Sequence, residues 1–479
     1  MIDTQSIRVK ILDLAMRGQL TEHQTGDGSA DDLYEEILLE KQALIKAGKI
    51  KKEKPLPEIP EEEKPYLLPK SWRWVYLGEL FQHNTGKALN SSDTQGQQLE
   101  YITTSNLYWN RFELDDLKTM PFTESEIEKC TVTKGDLLVC EGGDIGRSAI
   151  WPYDYDMRIQ NHIHRLRKYS ASICTEYYYY LLWLYKQTGR INGVGIGLQG
   201  FSAKRVHSLI VPLAPYDEAV RIVEVVRDAF SFLETIDAHQ VQYADNLTAL
   251  KRKLIDAAIQ GKLTEQLQED GTAEELYFQI QTEKQILIKA GKIKREKTPV
   301  EINVDSEAFV IPNNWRWVSI ADTCINIQYG SSKKSSAEGK IAVLRMGNIQ
   351  NGKLVYDKLV YTSDEEEIAK YPLEKNDLLF NRTNSMELVG KTAIYKGEQP
   401  AIYAGYLVRV TPLINSDYLN YVMQSKYYWD YCRTVRIDSN GQSNINAEKL
   451  KRFRFPLPPL AEQQRIVAIL DQFLEMVEQ

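Results

Sequence analysis

Residues 216 to 261 read YDEAVRIVEVVRDAFSFLETIDAHQVQYADNLTALKRKLIDAAIQG. The stretch holds no Pro, and its apolar positions Val226, Phe230, Leu233, then Tyr243, Leu247, Leu250, Leu254 and Ala257 recur in steps of four and three. That spacing puts one narrow apolar seam along a helix that packs against another helix. Ile236 and Val241 fall off the register, which predicts a local irregularity near His239. At 1.5 Å per residue the helix is roughly 65 to 70 Å long. A helix of that length reads as a spacer.

The sequence on either side repeats. Ile11 to Glu22 (ILDLAMRGQLTE) matches Leu254 to Glu265 (LIDAAIQGKLTE) at an offset of 243, as do Ala43 to Ile50 with Ile286 to Ile293 and Trp72-Arg-Trp74 with Trp315-Arg-Trp317. Val211-Pro-Leu-Ala-Pro215 matches Phe455-Pro-Leu-Pro-Pro459 at an offset of 244. A unit of this size is a domain in its own right rather than a solenoid turn, so the chain reads as a fused pseudo-dimer. The segment 460–479 copies the first half of the long helix and residues 1–20 copy its second half. Brought together, the two ends would rebuild a second long helix, antiparallel to the first and related to it by a pseudo two-fold axis.

Lys plus Arg number 59 and Asp plus Glu 66, a net charge of −7. That balance by itself gives nucleic-acid binding no support. Much of the acid, however, sits in runs such as Glu61-Glu62-Glu63 and Glu365-Glu366-Glu367, while the segments leading back to the long helices are basic. The five cysteines are scattered and odd in number, with no Cys-x-x-Cys. They suit a reducing, cytoplasmic setting and exclude a disulfide scaffold or zinc finger. No signal peptide or apolar run of membrane-spanning length is visible.

Along the chain the expected order is a helical segment and linker (1–75), a first globular domain (76–215), the central helix (216–262), a second helical segment and linker (263–318), a second globular domain (319–459) and a last helix (460–479). The helix expected over Ala30 to Ala47 has Ser29 as N-cap and Gly48 beyond its end, and its twin opens on a capping box, Thr272-Ala-Glu-Glu275. Both globular stretches turn to short strand-like runs, for example Asp136-Leu-Leu-Val139, Ser148-Ala-Ile-Trp151, Asp377-Leu-Leu-Phe380 and Thr392-Ala-Ile-Tyr395. Their loops differ: Glu141-Gly-Gly-Asp-Ile-Gly-Arg147 stands against the longer segment from Asn381 to Lys391. One frame with unlike loops is the pattern of two recognition domains. The fold class is α+β, two mixed α/β domains separated by a long antiparallel coiled coil.

These pieces resemble the specificity subunit of type I restriction-modification systems over essentially the whole chain. The resemblance rests on the two proline-closed variable domains, Glu462-Gln-Gln-Arg-Ile-Val467, the stretch from Leu254 to Leu263, Arg345-Met-Gly-Asn-Ile349 and Asn381-Arg-Thr-Asn-Ser385. The first unit departs from the pattern with Tyr216-Asp-Glu-Ala and Cys140-Glu-Gly-Gly. The resemblance implies a subunit without catalysis that binds double-stranded DNA, two methyltransferase subunits and motor-nuclease subunits, with S-adenosylmethionine, ATP and Mg held only by those partners. It also implies that each domain reads one half of a split, asymmetric site across a gap set by the long helices.

Loop residues with donors and acceptors are the candidates for DNA contact. In the first domain they are Lys87, Asn90, Thr104, Asn106, Arg147 and Asn161; in the second, Ser332, Lys333, Lys334, Arg345, Asn348, Arg382, Asn384, Ser385 and Lys391. Lys204, Arg205, Lys449, Lys451 and Arg452 suit phosphate. For each, the competing reading is a turn-forming Asn or a solvated cation. Gly195-Ile-Gly-Leu-Gln-Gly200 spells a dinucleotide fingerprint without the strand and helix it needs, and the segment from Ser385 to Thr392 imitates a phosphate loop without its first Gly. His162-x-His164 could offer two metal ligands, but the other half has Tyr406 and Val408 there. No Asn/Asp-Pro-Pro-Tyr motif for adenine methylation occurs. Two other classes remain open: the recognition fragment of a single-chain restriction-modification enzyme, and an architectural coiled-coil protein that binds proteins.

Overall fold

The computed structural model describes residues 1–52, 54–90, 95–192, 200–295, 308–439 and 441–478. It divides into two compact units, Met1–Val241 and Gln242–Gln479. The helix Tyr216–Ile259 gives its first part to one unit and the rest to the other. It runs unbroken, so the irregularity expected near His239 is absent: an α-helix tolerates a drifting apolar seam without a break where no neighbour demands strict register.

In the first unit the helix Thr4–Met16, capped by Asp3, lies antiparallel to the start of the long helix. Ile2 N donates to Gln240, Thr4 Oγ1 to Asp237 at 2.5 Å and Arg8 Nη2 to Asp237 at 2.8 Å, while the Arg8 guanidinium sits over Phe230. Farther along, Leu12, Ala15 and Met16 share a core with Ile222, Val223 and Val226. In the second unit Ile255, Ala258 and Ile259 of the long helix share a core with Ile466 and Leu470 of the helix Leu460–Glu478. Tyr243 and Leu250, expected on the seam, are exposed. Burial thus follows the stretches where a neighbour lies alongside, not the whole heptad pattern.

The second helices of the two units, Ala30–Lys46 and Ala273–Lys289, begin as the sequence predicts. Ser29 Oγ accepts from Asp32 N, and Thr272 and Glu275 cap each other reciprocally. Each is pinned at its start by a matched backbone bond, Ala30 N to Ser71 O and Ala273 N to Asn314 O, both 2.8 Å. The glycines that end the preceding helices are forced: Gly18 and Gly261 have φ of +65° and +69°, and a Cβ on either would strike Pro69 or Pro312.

Each unit then builds its globular part on sheets of matching order. A two-stranded antiparallel clasp, Arg73–Tyr76 with Ile210–Leu213, opens and closes the first domain; Arg316–Ser319 with Arg454–Leu457 does so in the second. Inside the first lies the sheet Phe81–Thr85, Ile163–Lys168, Leu137–Cys140, Ser148–Ile150, answered in the second by Cys324–Tyr329, Leu407–Pro412, Leu378–Asn381, Thr392–Ile394. A further sheet centres on Gln97–Ile102 paired parallel to Met157–Ile159, and on Ile341–Leu344 paired parallel to Ala401–Tyr403. Among the described residues the second domain carries one sheet more, Thr383–Asn384, Gln442–Asn444, Ile437–Ser439.

Candidate nucleic-acid interface

Strand register fixes which loop positions correspond. Lys87 N donates to Ile159 O and Asn161 N to Lys87 O; Ser331 N donates to Tyr403 O and Gly405 N to Ser331 O. Cys140 N donates to Arg147 O and the Cys140 carbonyl accepts from Gly146 N, as Asn381 N donates to Lys391 O and the Asn381 carbonyl accepts from Gly390 N. Glu141 N then donates to His162 O and its carbonyl accepts from Phe201 N; Arg382 N donates to Tyr406 O and its carbonyl accepts from Ile445 N. Cys140 therefore matches Asn381 and Glu141 matches Arg382, one position away from the alignment drawn on sequence alone. The longer second loop, 382–389 against 141–145, hides the true register until the flanking bonds are seen.

Several predicted first-domain readers are occupied by the fold. Lys87 is buried, and its Nζ donates to Pro121 O at 2.7 Å and Glu126 Oε2 at 2.8 Å, so it is an internal ion pair and not a surface donor. Asn106 closes its own turn: Oδ1 accepts from Thr103 N and Nδ2 donates to Glu113 O. Thr104 offers its carbonyl to Arg147 Nη2 at 2.6 Å. Arg147 and Arg111 stack at 4.9 and 4.8 Å from the Tyr108 ring, so Tyr108 lies against two guanidinium groups. Asn161 is half-buried and Asn90 exposed.

In the second domain Asn348 repeats the role of Asn106, with Oδ1 accepting from Arg345 N and Nδ2 donating to Val355 O and Asp357 O. Both asparagines are turn formers, because an Asx side chain mimics the backbone it bonds. Arg345 donates to Lys358 O. Lys333 pairs with Asp364 at 2.6 Å at the start of the helix Glu365–Lys370, a bond that raises its own pKa and lowers that of Asp364. Ser332 and Lys334 are exposed; Asn384, in the short strand Thr383–Asn384, is half-buried, as are Ser385 and Lys391.

Arg382 is the predicted reader that the fold presents most clearly. Its guanidinium lies 4.7 Å from the Tyr329 ring centroid, and the Tyr329 hydroxyl is fixed by accepting from Ala447 N at 3.0 Å. The buried Nε of Arg382 has no hydrogen-bond partner among the described residues. Exposed Met386 and Ile437 lie on the same segments, joined through Arg436, which donates to Met386 O at 3.1 Å.

The basic runs are less open than their sequence suggests. Arg205 Nη1 donates to Asn192 O, Lys449 Nζ to Val435 O, and Lys451 pairs with Glu448 at 3.1 Å. Lys204 and Arg452 are exposed. Residues 195–199 of the glycine-rich motif lie outside the described residues. His164 is buried; its Nε2 donates to Phe201 O at 2.6 Å, which leaves Nδ1 to accept from His83 at 2.9 Å. Burial drives the His83 pKa down to about 3, so this pair is a neutral structural link.

A family model described as the type I restriction modification DNA specificity domain matches residues 69–249 and 312–479. The chain belongs to this specificity family. It is 27% identical over 540 aligned residues to the type I restriction enzyme EcoAI specificity subunit of Escherichia coli, covering 98% of this chain and 89% of the relative. It is 24% identical to the EcoEI specificity subunit of Escherichia coli over 99% of this chain and 90% of the relative. A solved chain from work on complex assembly and conformational transition of the type I R-M system shares the fold, with a TM-score of 0.58, 18% identity and coverage of 86% of this chain and 93% of that one. The two segments matched by the specificity family each contain one of the sheet sets described above.

Sequence reasoning missed three members of this candidate specificity surface: Glu141, Tyr329 and Tyr108. Strand register supplies the equivalence for Tyr329, since Thr85 and Tyr329 pair with the matched residues His164 and Val408, while the longer loop after Asn381 masks that of Glu141. Nothing in the pattern around Tyr108 marks it as a platform for two arginines.

Proposed function

We propose that the chain is the DNA-recognition subunit of a type I restriction-modification complex and that it reads a bipartite, asymmetric site, one half with each mixed α/β domain. The observation that supports this reading is the pairing of one frame with unlike presenting residues: the same backbone bonds hold Glu141 in one domain and Arg382 in the other. A symmetric pair of readers selects a palindrome, whereas matched scaffolds carrying different side chains select two different half-sites.

On this reading the domains are 76–215 and 319–459. The long helix, with 1–20 and 460–479 as its partners in an antiparallel coiled coil, sets the unread gap. The subunit performs no chemistry itself. Two methyltransferase subunits bring S-adenosylmethionine, motor-nuclease subunits bring ATP and Mg, and the assembly works in the cytoplasm. Lys204, Lys334 and Arg452, which are exposed, are suited to phosphate, and contacts of that kind make affinity fall with salt.

The test is selection from a pool of random duplexes by the full chain co-expressed with its methyltransferase subunits. The expected product is two specified blocks separated by an unspecified gap of fixed length, bound with a steep salt slope. A single continuous or palindromic block, or no enrichment, contradicts the proposal.

A further inference from the structure

We infer that Arg382 and Glu141 occupy one equivalent base-reading position, whose charge assigns guanine to the second half-site and an amino-bearing base, cytosine or adenine, to the first. This inference rests on the DNA-recognition reading above and deepens it.

The equivalence is geometric. Glu141 and Arg382 each follow the last residue of the matched central strands, Leu137–Cys140 and Leu378–Asn381. Each donates its amide across to a matched neighbour, His162 or Tyr406, and accepts from a matched residue, Phe201 or Ile445. The backbone thus delivers two side chains of opposite charge to the same place in the two domains.

The surroundings of Arg382 prepare it for a ligand. A guanidinium stacked on an aromatic ring has its plane fixed before binding, so little rotamer entropy remains to be lost. The Tyr329 ring under it is itself anchored through its hydroxyl to Ala447 N. The other arginines of this region already donate to the protein: Arg345 to Lys358 O, Arg409 to Pro372 O and Arg436 to Met386 O. Lys333 is held by Asp364. Arg382 shows no such commitment among the described residues, and its Nε lacks a partner. A pre-oriented guanidinium fork is the complement of the paired O6 and N7 acceptors of guanine.

Glu141 has a different setting. Thr85 stands where Tyr329 would be, so a threonine replaces the tyrosine platform, and the carboxylate lies 3.6 Å from Nδ1 of the exposed His162. A carboxylate offers acceptors only, and among base edges in the major groove the donors are the exocyclic amines of cytosine and adenine. The same position therefore favours opposite hydrogen-bond polarity in the two halves.

The experiment repeats the random-duplex selection with the full chain and its methyltransferase subunits, comparing wild type with Arg382→Lys, Arg382→Gln and Glu141→Gln. Lys keeps the charge and loses the fork. The expected result for both Arg382 variants is loss of discrimination, roughly 5- to 150-fold, at a single G·C pair of one block, with the other block and non-specific affinity unchanged. Glu141→Gln is expected to alter a single pair in the opposite block. An unchanged motif, a uniform loss of affinity, or wild-type behaviour of Arg382→Lys overturns the inference, because each marks a structural or phosphate role. A wild-type selection without two blocks overturns the underlying reading instead.

Discussion

The Trp315 indole N–H donates to the Glu462 carboxylate across 2.8 Å, and Trp72 donates to Glu218 in the same way across 3.0 Å. Both carboxylates are buried, at the foot of the helices Leu460–Glu478 and Tyr216–Ile259. Each joins the Trp-Arg-Trp entry of a recognition domain to the helix that leaves it. Glu462 also accepts from Thr264 and Gln266, whereas His23 takes the matching place beside Glu218.

Removing that acceptor strands several donors at once. Glu462→Ala is expected to lower stability by about 2 to 4 kcal/mol, since buried donors left unpaired carry their full desolvation penalty. Urea unfolding followed by tryptophan fluorescence checks this; a change below about 0.5 kcal/mol would show that the carboxylate is dispensable.

The neighbouring ion pair gives a pH signature. Arg221 bonds Asp27 through both terminal nitrogens at 2.6 Å and holds the carboxyl down to about 2; Arg465 bonds Asp270 through its two terminal nitrogens at 2.8 and 2.5 Å and lowers that carboxyl as well. A folded-state pKa below the unfolded value near 3.8 means that the stabilisation is complete above that value and is lost as pH falls towards 2. Denaturation midpoints measured from pH 6 down to pH 2 should drop below about pH 4, and Asp27→Asn should make that drop shallower.

Two lysines that look alike in sequence separate in kind. Lys87→Ala removes a buried cation from its pair with the half-buried Glu126 and is expected to destabilise the fold by about 1 to 3 kcal/mol while leaving the recognised bases unchanged. Lys334→Ala, at an exposed site, is expected to leave stability within about 0.5 kcal/mol and to reduce the salt slope of DNA binding by about 1, uniformly across sequences. Thermal unfolding and salt titrations of the two variants distinguish these outcomes.

What could be read in advance was whatever depends on local chemistry or on the repeat: the caps at Ser29 and Thr272, Gly48 beyond the end of its helix, the strands around Leu137 and Leu378, and the long helix itself. Loop side chains were harder, because the same residue type serves two ends. Asn106 and Asn348 carry the donors and acceptors that read bases, yet their own turns consume them. Arg205 and Lys449 lie in basic runs, yet carbonyls of the fold accept hydrogen bonds from their N–H groups. Glu141 was passed over because an insertion moved the apparent register by one, and only the bonds to His162 and Phe201 restore it. The seam failed at Tyr243 and Leu250 for a related reason: periodicity states which face is apolar, not where a neighbour covers it.

On the proposed reading, two separable modules each contribute half of one DNA address. Exchanging residues 76–215 for the corresponding domain of another family member, then mapping methylated adenines in cells that also carry the methyltransferase subunits, tests it directly. The expected motif changes in one half while the other half and the gap stay fixed; a change in both halves would rule out modular reading.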